Sequence, residues 1–175
     1  RLLGPGPSNA HPAVLAAVGR APIGHMDPLY IQAIGELQNL LRYVWQTENR
    51  LTLTVSGTGT AAMEASLVNV IEPGDTVLVA VAGYFSERLV EMAQRLGANV
   101  QRIETALKIH RPQILAMVHA ETSTGVYQPV EGIGELCRRY DCLSILDTVT
   151  SLGCMPVLLD EWGIDIAYSC SQKGL

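Results

Sequence analysis

The chain has 175 residues, 48% hydrophobic and 17% charged, with 12 Lys+Arg against 17 Asp+Glu and a formal net charge of −5; mean hydropathy is +0.21 and the pI about 5.3. That is enough for one compact domain with a core, and it excludes intrinsic disorder, collagen-like repeats and coiled coil. The acidic balance argues against nucleic acid as a partner, and the longest apolar runs, 76–82 and 114–118, are strand-sized and far short of a membrane span.

The first stretch, to about Gly24, is rich in Gly and Pro and reads as an extended arm; Pro5, Pro7 and Pro12 lack backbone donors. Residues 11–18 (HPAVLAAV) form a short helix in this reading. Asp27 can cap a second helix with Pro28 at its first position, and Ile31, Ile34, Leu37, Leu41 and Val44 recur at helical spacing. An alternation follows. Residues 51–55 read as a strand, 56–60 (SGTGT) as a turn and 61–71 as a helix stopped by Glu72-Pro73-Gly74-Asp75. Strands are expected at 76–82, 100–103, 114–119, 143–146 and 166–169, and helices at 87–96 and 130–140. Strands apolar on both faces, alternating with amphipathic helices, predict an α/β three-layer sandwich with a mainly parallel sheet. Ligands in such sheets sit at the carboxyl ends of strands. The residues of interest are therefore 56–60, 83–85, 121–125, Asp147 and 171–173.

The four cysteines, Cys137, Cys142, Cys154 and Cys170, form no CxxC pair and no zinc-like spacing with histidine, so no metal site is expected and the thiols read as buried or idle in a reducing compartment. No apolar leader opens the chain, which points to the cytoplasm (or the peroxisome of a eukaryote), and the abrupt end at Leu175 reads as that of a fragment.

The chain has only two lysines. Lys108 lies in a polar stretch and reads as solvated. Lys173 follows a strand, with Ser171 and Gly174 as small neighbours, where its amine could form a Schiff base with a carbonyl; an ordinary surface lysine is the alternative, and the stronger one for Lys173 alone. Asp147 ends an apolar strand, where a buried charge needs a partner. A pyridinium nitrogen is one such partner, because a carboxylate keeps that nitrogen protonated; a plain turn residue is the equal alternative for Asp147 alone. The SGTGT turn opens a helix whose free N–H groups suit a phosphate. It also matches G-x-G-x-x-A (Gly57, Gly59, Ala62), but the following strand ends in Val81-Ala82-Gly83 without the acid a dinucleotide site requires. His25, His119, Trp45 and Trp162 read as structural, His11 and His110 as surface residues, and Arg138 and Arg139 as a solvated helix face.

Together these residues resemble the class V aminotransferases of fold type I that use pyridoxal 5′-phosphate, in the alanine–glyoxylate and serine–pyruvate (serine–glyoxylate) branch. Gly4-Pro5-Gly6-Pro7-Ser8-Asn9, Gly24-His25-Met26-Asp27-Pro28, Ser56-Gly57-Thr58-Gly59-Thr60 with Glu64, Glu121-Thr122-Ser123-Thr124-Gly125, Asp147-Thr148-Val149-Thr150-Ser151-Leu152-Gly153 and Ser169-Cys170-Ser171-Gln172-Lys173 carry the resemblance in the family's order. It implies that Lys173 forms the Schiff base and moves the proton at the substrate α-carbon, and that Asp147 pairs with the pyridine nitrogen. Val149 and Phe85 would flank the ring, with Phe85 standing where many relatives have Trp. Thr122 would lie near the phenolic oxygen, Thr58, Gly59, Thr60 and Gln172 would hold the phosphate, and Gly6 would approach the substrate. The resemblance also implies a homodimer acting on small amino acids and 2-oxo acids, an arm at 1–24, and a large cofactor domain at 25–175 whose remainder, with a small domain holding the arginine for the substrate carboxylate, lies outside this chain. About a dozen residues of the family's pattern have no counterpart between Ile103 and Ala106.

The expected function is transamination from alanine or serine to glyoxylate (or pyruvate) by a ping-pong route. The rivals are a catalytically silent cofactor-binding module, another class V reaction such as aminoethylphosphonate transamination or a lyase, and a dinucleotide-binding domain.

Overall fold

The computed structural model describes residues 2, 4, 6–102 and 111–175. Five strands, β1 (Thr76–Ala80), β2 (Asn99–Arg102), β3 (Ile114–Val118), β4 (Leu143–Asp147) and β5 (Ile166–Tyr168), form one sheet in the order β2-β1-β3-β4-β5. Every adjacent pair is parallel. The chain leaves β1 outward to β2, then crosses back to β3. The strand order thus reverses between β1 and β3, and there the carboxyl ends open a crevice.

Burial on both faces explains why the strands are apolar throughout. Val77, Val79, Ile114, Ala116, Val118 and Ile145 pack on one side with Met63 and Leu67 of α3 (Gly59–Val68) and Leu89 and Ala93 of α4 (Tyr84–Arg95). On the other side Leu78 and Leu115 meet Cys137 of α5 (Ile133–Arg139) and Cys142, while Ala80, Met117 and Leu146 meet Leu152, Val157 and Trp162, the last on α6 (Leu159–Trp162). The α/β three-layer expectation therefore holds. Each fully buried Leu on these helices contributes about 1.5–3 kcal/mol of transfer free energy.

Two helices precede this sandwich; Val44 and Trp45, at the end of the second, pack against its core. His11 Nδ1 caps α1 (Pro12–Val18) by accepting from the Ala13 N–H, and Asp27 Oδ1 caps α2 (Pro28–Trp45) by accepting from Leu29 N–H at 2.8 Å. Neither helix has a fully buried residue.

The structure corrects several boundaries. Residues 51–55 are not a strand: no ladder partner lies beside them among the described residues, and Leu51 is 80% exposed. The Leu/Thr alternation fits a strand, but a strand needs a neighbour to pair with. Helix α4 starts three residues before its expected start at Glu87, because Ser86 Oγ accepts the N–H groups of Ala82 and Gly83 and donates to the Gly83 carbonyl. Pro5, Lys108, His110 and the Ile103–Ala106 junction lie outside the described residues. Among the described residues no helix is long and apolar enough to cross a membrane.

Candidate active site

The carboxyl ends of β3, β4 and β5 bring the sequence-predicted residues together. Asp147 is the last residue of β4 and is 3% exposed. Its Oδ1 accepts from Val149 N–H at 2.8 Å and its Oδ2 from the Tyr168 hydroxyl at 2.7 Å. Both donors are neutral. Burial pushes the carboxyl up to about 6; the two hydrogen bonds and the Lys173 ammonium act against this, and the Glu121 charge adds to it. A buried acid is suited to a cationic ring nitrogen at hydrogen-bonding reach.

Lys173 lies within electrostatic range of both Asp147 and Cys170. The N-terminal arm closes over it. A Cβ built on Gly6, whose φ is +136°, would lie 2.4 Å from Lys173 Nζ, so only glycine allows this approach. Ser8 N–H donates to the Gln172 carbonyl at 2.7 Å and ties the arm to the lysine loop.

The phosphate-type loop sits beside them. Thr58 is the N-cap of α3, but its hydroxyl makes no capping bond and is left for another acceptor. A Cβ at Gly59 would lie 3.3 Å from Cys170 Cβ and Sγ and 3.5 Å from Val149 Cγ2, so the start of α3 is pressed against the β5–Lys173 segment and the residue two after Asp147. Thr60 is half-buried in the first turn, where the N–H groups of Ala61 and Ala62 donate to the Thr58 carbonyl and those of Gly59 and Thr60 occupy the orphan positions of a helix start. Hydroxyl-bearing Thr122 meets Thr150, Oγ1 to Oγ1, at 2.5 Å.

Glu121, buried at the end of β3, fills the crevice between β1 and β3. It accepts the N–H groups of Phe85, Ser86 and Ser123 and the hydroxyls of Ser86 and Ser123. It thereby fixes the amino end of α4, and with it Phe85, whose ring makes an edge contact with Tyr84 at 5.3 Å. Burial opposes the charge on Glu121, but these donors outweigh it and hold its pKa below the ordinary value. Gly83 leaves room for the clasp: a Cβ there would lie 2.5 Å from Ser123 Oγ and 2.6 Å from Glu121 Cγ.

Tyr168 is a member that the sequence alone does not single out, and Glu121, though it falls in the strand-end stretch 121–125, has no role that the sequence assigns. Tyr168 is the Cα partner of Asp147 in the β4–β5 ladder, a register no local pattern reveals. His119 is buried as expected, but it is held by ring contacts to Tyr127 and Trp162, and neither ring nitrogen has a hydrogen-bond partner among the described residues. Burial lowers its pKa, which keeps it neutral. Trp45 Nε1 donates to Thr148 Oγ1 at 3.2 Å. All four cysteines are free, and among the described residues no group of three or more His, Cys, Asp or Glu gathers to hold a metal ion. A surface hollow at the end of α2, lined by Arg42, Gln46 and Asp160 among others, shares no residue with this cluster.

The donor set fits pyridoxal 5′-phosphate: an amine, a buried carboxylate at a strand end, a helix amino end with a hydroxyl that makes no capping bond, and two apolar side chains, Val149 and Phe85, suited to a ring.

Comparison with known proteins gives the same frame. The family model described as aminotransferase class-V matches residues 11–175. An alanine–glyoxylate aminotransferase of Mus musculus is 48% identical over 187 aligned residues, covering 99% of this chain and 45% of the relative. A (S)-ureidoglycine–glyoxylate transaminase of Bacillus subtilis (strain 168) is 40% identical, with 99% and 45% covered. The crystal structure of an alanine–glyoxylate aminotransferase from Nostoc sp. superposes with a TM-score of 0.96 at 60% identity, over 98% of this chain and 49% of that one. The chain spans about half the length of the curated relatives it matches.

Proposed function

The chain belongs to the class V aminotransferases, and on that premise we propose that it carries the cofactor half of an enzyme moving an amino group from alanine to glyoxylate with pyridoxal 5′-phosphate. The observation that carries this is Asp147: a carboxylate 3% exposed at a strand end, accepting from Val149 N–H and the Tyr168 hydroxyl, within electrostatic range of Lys173. The acceptor rests on more than one relative, since glyoxylate is in the names of both the mouse and the Bacillus proteins, whereas the donors named differ.

Bound pyridoxal 5′-phosphate would supply an aldehyde for the amino group and a ring that draws electrons from the substrate α-carbon. The protein's part is to hold that group and handle the proton. Lys173 Nζ would hold that group covalently through its aldehyde and, once the incoming amine displaces it, would move the proton at the substrate α-carbon. Asp147 keeps the ring nitrogen protonated. Thr58, Gly59, Thr60 and Gln172 hold the phosphate at the amino end of α3, Thr122 bonds the phenolic oxygen, Val149 and Phe85 flank the ring, and Gly6 brings the arm against the reacting end. In this reading residues 1–24 are an arm and 25–175 the cofactor domain, and the protein is a homodimer. The exposed apolar residues of α1 and α2, with Leu15 62% and Val18 80% exposed, support that last point.

The intact protein incubated with pyridoxal 5′-phosphate is expected to show a visible absorbance band that borohydride abolishes and Lys173→Ala removes, and to form pyruvate and glycine from alanine and glyoxylate. Absence of the band refutes the cofactor reading. A band without pyruvate formation refutes the donor.

A further inference from the structure

Tyr168 and Asp147 stand opposite each other across the β4–β5 ladder, so their side chains leave the sheet on the same face. The Tyr168 ring is itself 3% exposed and belongs to the core beside α3 and α4, while its hydroxyl donates to Asp147 Oδ2 at 2.7 Å. With Oδ1 held by Val149 N–H, both carboxylate oxygens are fixed and the group cannot turn.

The charged surroundings give this bond its weight. Glu121, from the end of β3, acts on Asp147 as a like charge. The Cys170 thiol, after β5, is pushed up by burial and stays neutral. Lys173 attracts, but its positive charge is the one that covalent capture of an aldehyde would alter. The phenol is the side-chain donor that persists in every state of the lysine.

We propose that Tyr168 is a positioning residue for the cofactor site: its hydroxyl holds Asp147 ionised and in one orientation, so that the carboxylate meets the ring nitrogen as an anion through the neutral range. This rests on the reading that Asp147 faces the nitrogen of bound pyridoxal 5′-phosphate. Loss of a hydrogen bond to a buried charge weakens the charged form by about ten-fold or more. Without the phenol, Asp147 therefore takes up a proton about one pH unit higher.

The test is the dissociation constant of pyridoxal 5′-phosphate, read from quenching of tryptophan fluorescence between pH 5 and 9 in the intact protein, Tyr168→Phe, Asp147→Asn and the double variant. The cofactor's own ionisations are common to all four and cancel in the comparison. The wild type is expected to lose affinity below a break set by Asp147. Tyr168→Phe, which keeps the ring in the core, is expected to move that break up by about one unit and to weaken binding about five-fold near pH 6, approaching ten-fold near pH 5. In the Asp147→Asn background the same change is expected to move nothing. If Tyr168→Phe does not fold, 3-fluorotyrosine incorporated at position 168, a stronger donor of nearly the same shape, is expected to move the break down. An unmoved break in whichever of the two folds, or an equal shift in the Asp147→Asn background, overturns the proposal and leaves the cofactor reading intact. A wild type that binds no cofactor at any pH takes down both.

Discussion

Replacing Asp147 by asparagine is expected to stabilise the cofactor-free protein at neutral pH, although it removes a residue central to the proposed chemistry. The folded protein raises this carboxyl from 3.8 to about 6, chiefly by burial. Between those values the native state binds a proton that the unfolded chain does not, so this residue makes stability fall as pH rises through that window, and above about pH 6 the full penalty applies. A gap of about 2 units at about 1.4 kcal/mol each comes to roughly 3 kcal/mol. Asparagine keeps an acceptor for the Val149 N–H but offers Tyr168 a neutral partner, which returns roughly 1 kcal/mol. The variant should thus be about 2 kcal/mol more stable at pH 8, with the advantage fading as pH falls toward 4. Urea unfolding of both apo proteins at several pH values reads this difference. Adding pyridoxal 5′-phosphate should reverse the order, because the cationic ring stabilises the carboxylate as an anion. An asparagine variant less stable than wild type at pH 8 without cofactor, or a difference independent of pH, would show that Asp147 is not a strained buried anion.

Three further substitutions probe the rest of the scaffold. Glu121→Gln keeps the shape but weakens the clasp on α4, and a loss of about 2–3 kcal/mol in urea unfolding is expected at pH 7. Because this carboxyl is held below its ordinary value, its contribution is complete above pH 4.5 and lost as pH falls through the lower folded value, so the gap between wild type and variant should close in acid. Gly6→Ala should cost on the order of 1 kcal/mol in unfolding, because alanine is strained at φ +136°, and should cut the borohydride-sensitive absorbance sharply, because the new methyl falls on Lys173 Nζ. Gly134→Ala should cost 3 kcal/mol or more, or prevent soluble expression: its Cβ would lie 2.1 Å from the Gly163 carbonyl oxygen, backbone that cannot swing aside. Normal thermal unfolding of that variant would show that α5 and α6 do not meet as described.

Periodicity and punctuation were enough to read the layers and most elements. Runs such as Ile114–Val118 are apolar on both faces because helices cover both faces, and burial of all five residues follows directly. Asp27-Pro28 marked the start of α2 because a cap is a local interaction between neighbours in sequence. Asp147 stands out for a related reason, as a lone acid at the end of an apolar strand; Lys173 taken alone reads as an ordinary surface lysine and gains weight only beside Asp147 and the SGTGT turn. Residues 51–55 show the opposite case, since alternation states what a strand requires but not whether a neighbour exists to pair with it.

The sequence by itself determined the class of the fold and set its candidate residues at strand ends, because apolar spacing, capping and strand-end placement are properties of neighbouring residues. Only the tertiary structure decided which of those residues share a site. The β4–β5 register sets Tyr168 against Asp147, and the return from β2 to β3 places Glu121 under the first turn of α4. Those pairings join residues 21 and 35 apart in the chain. They arise from how strands stack and cross, which no local pattern of side chains encodes.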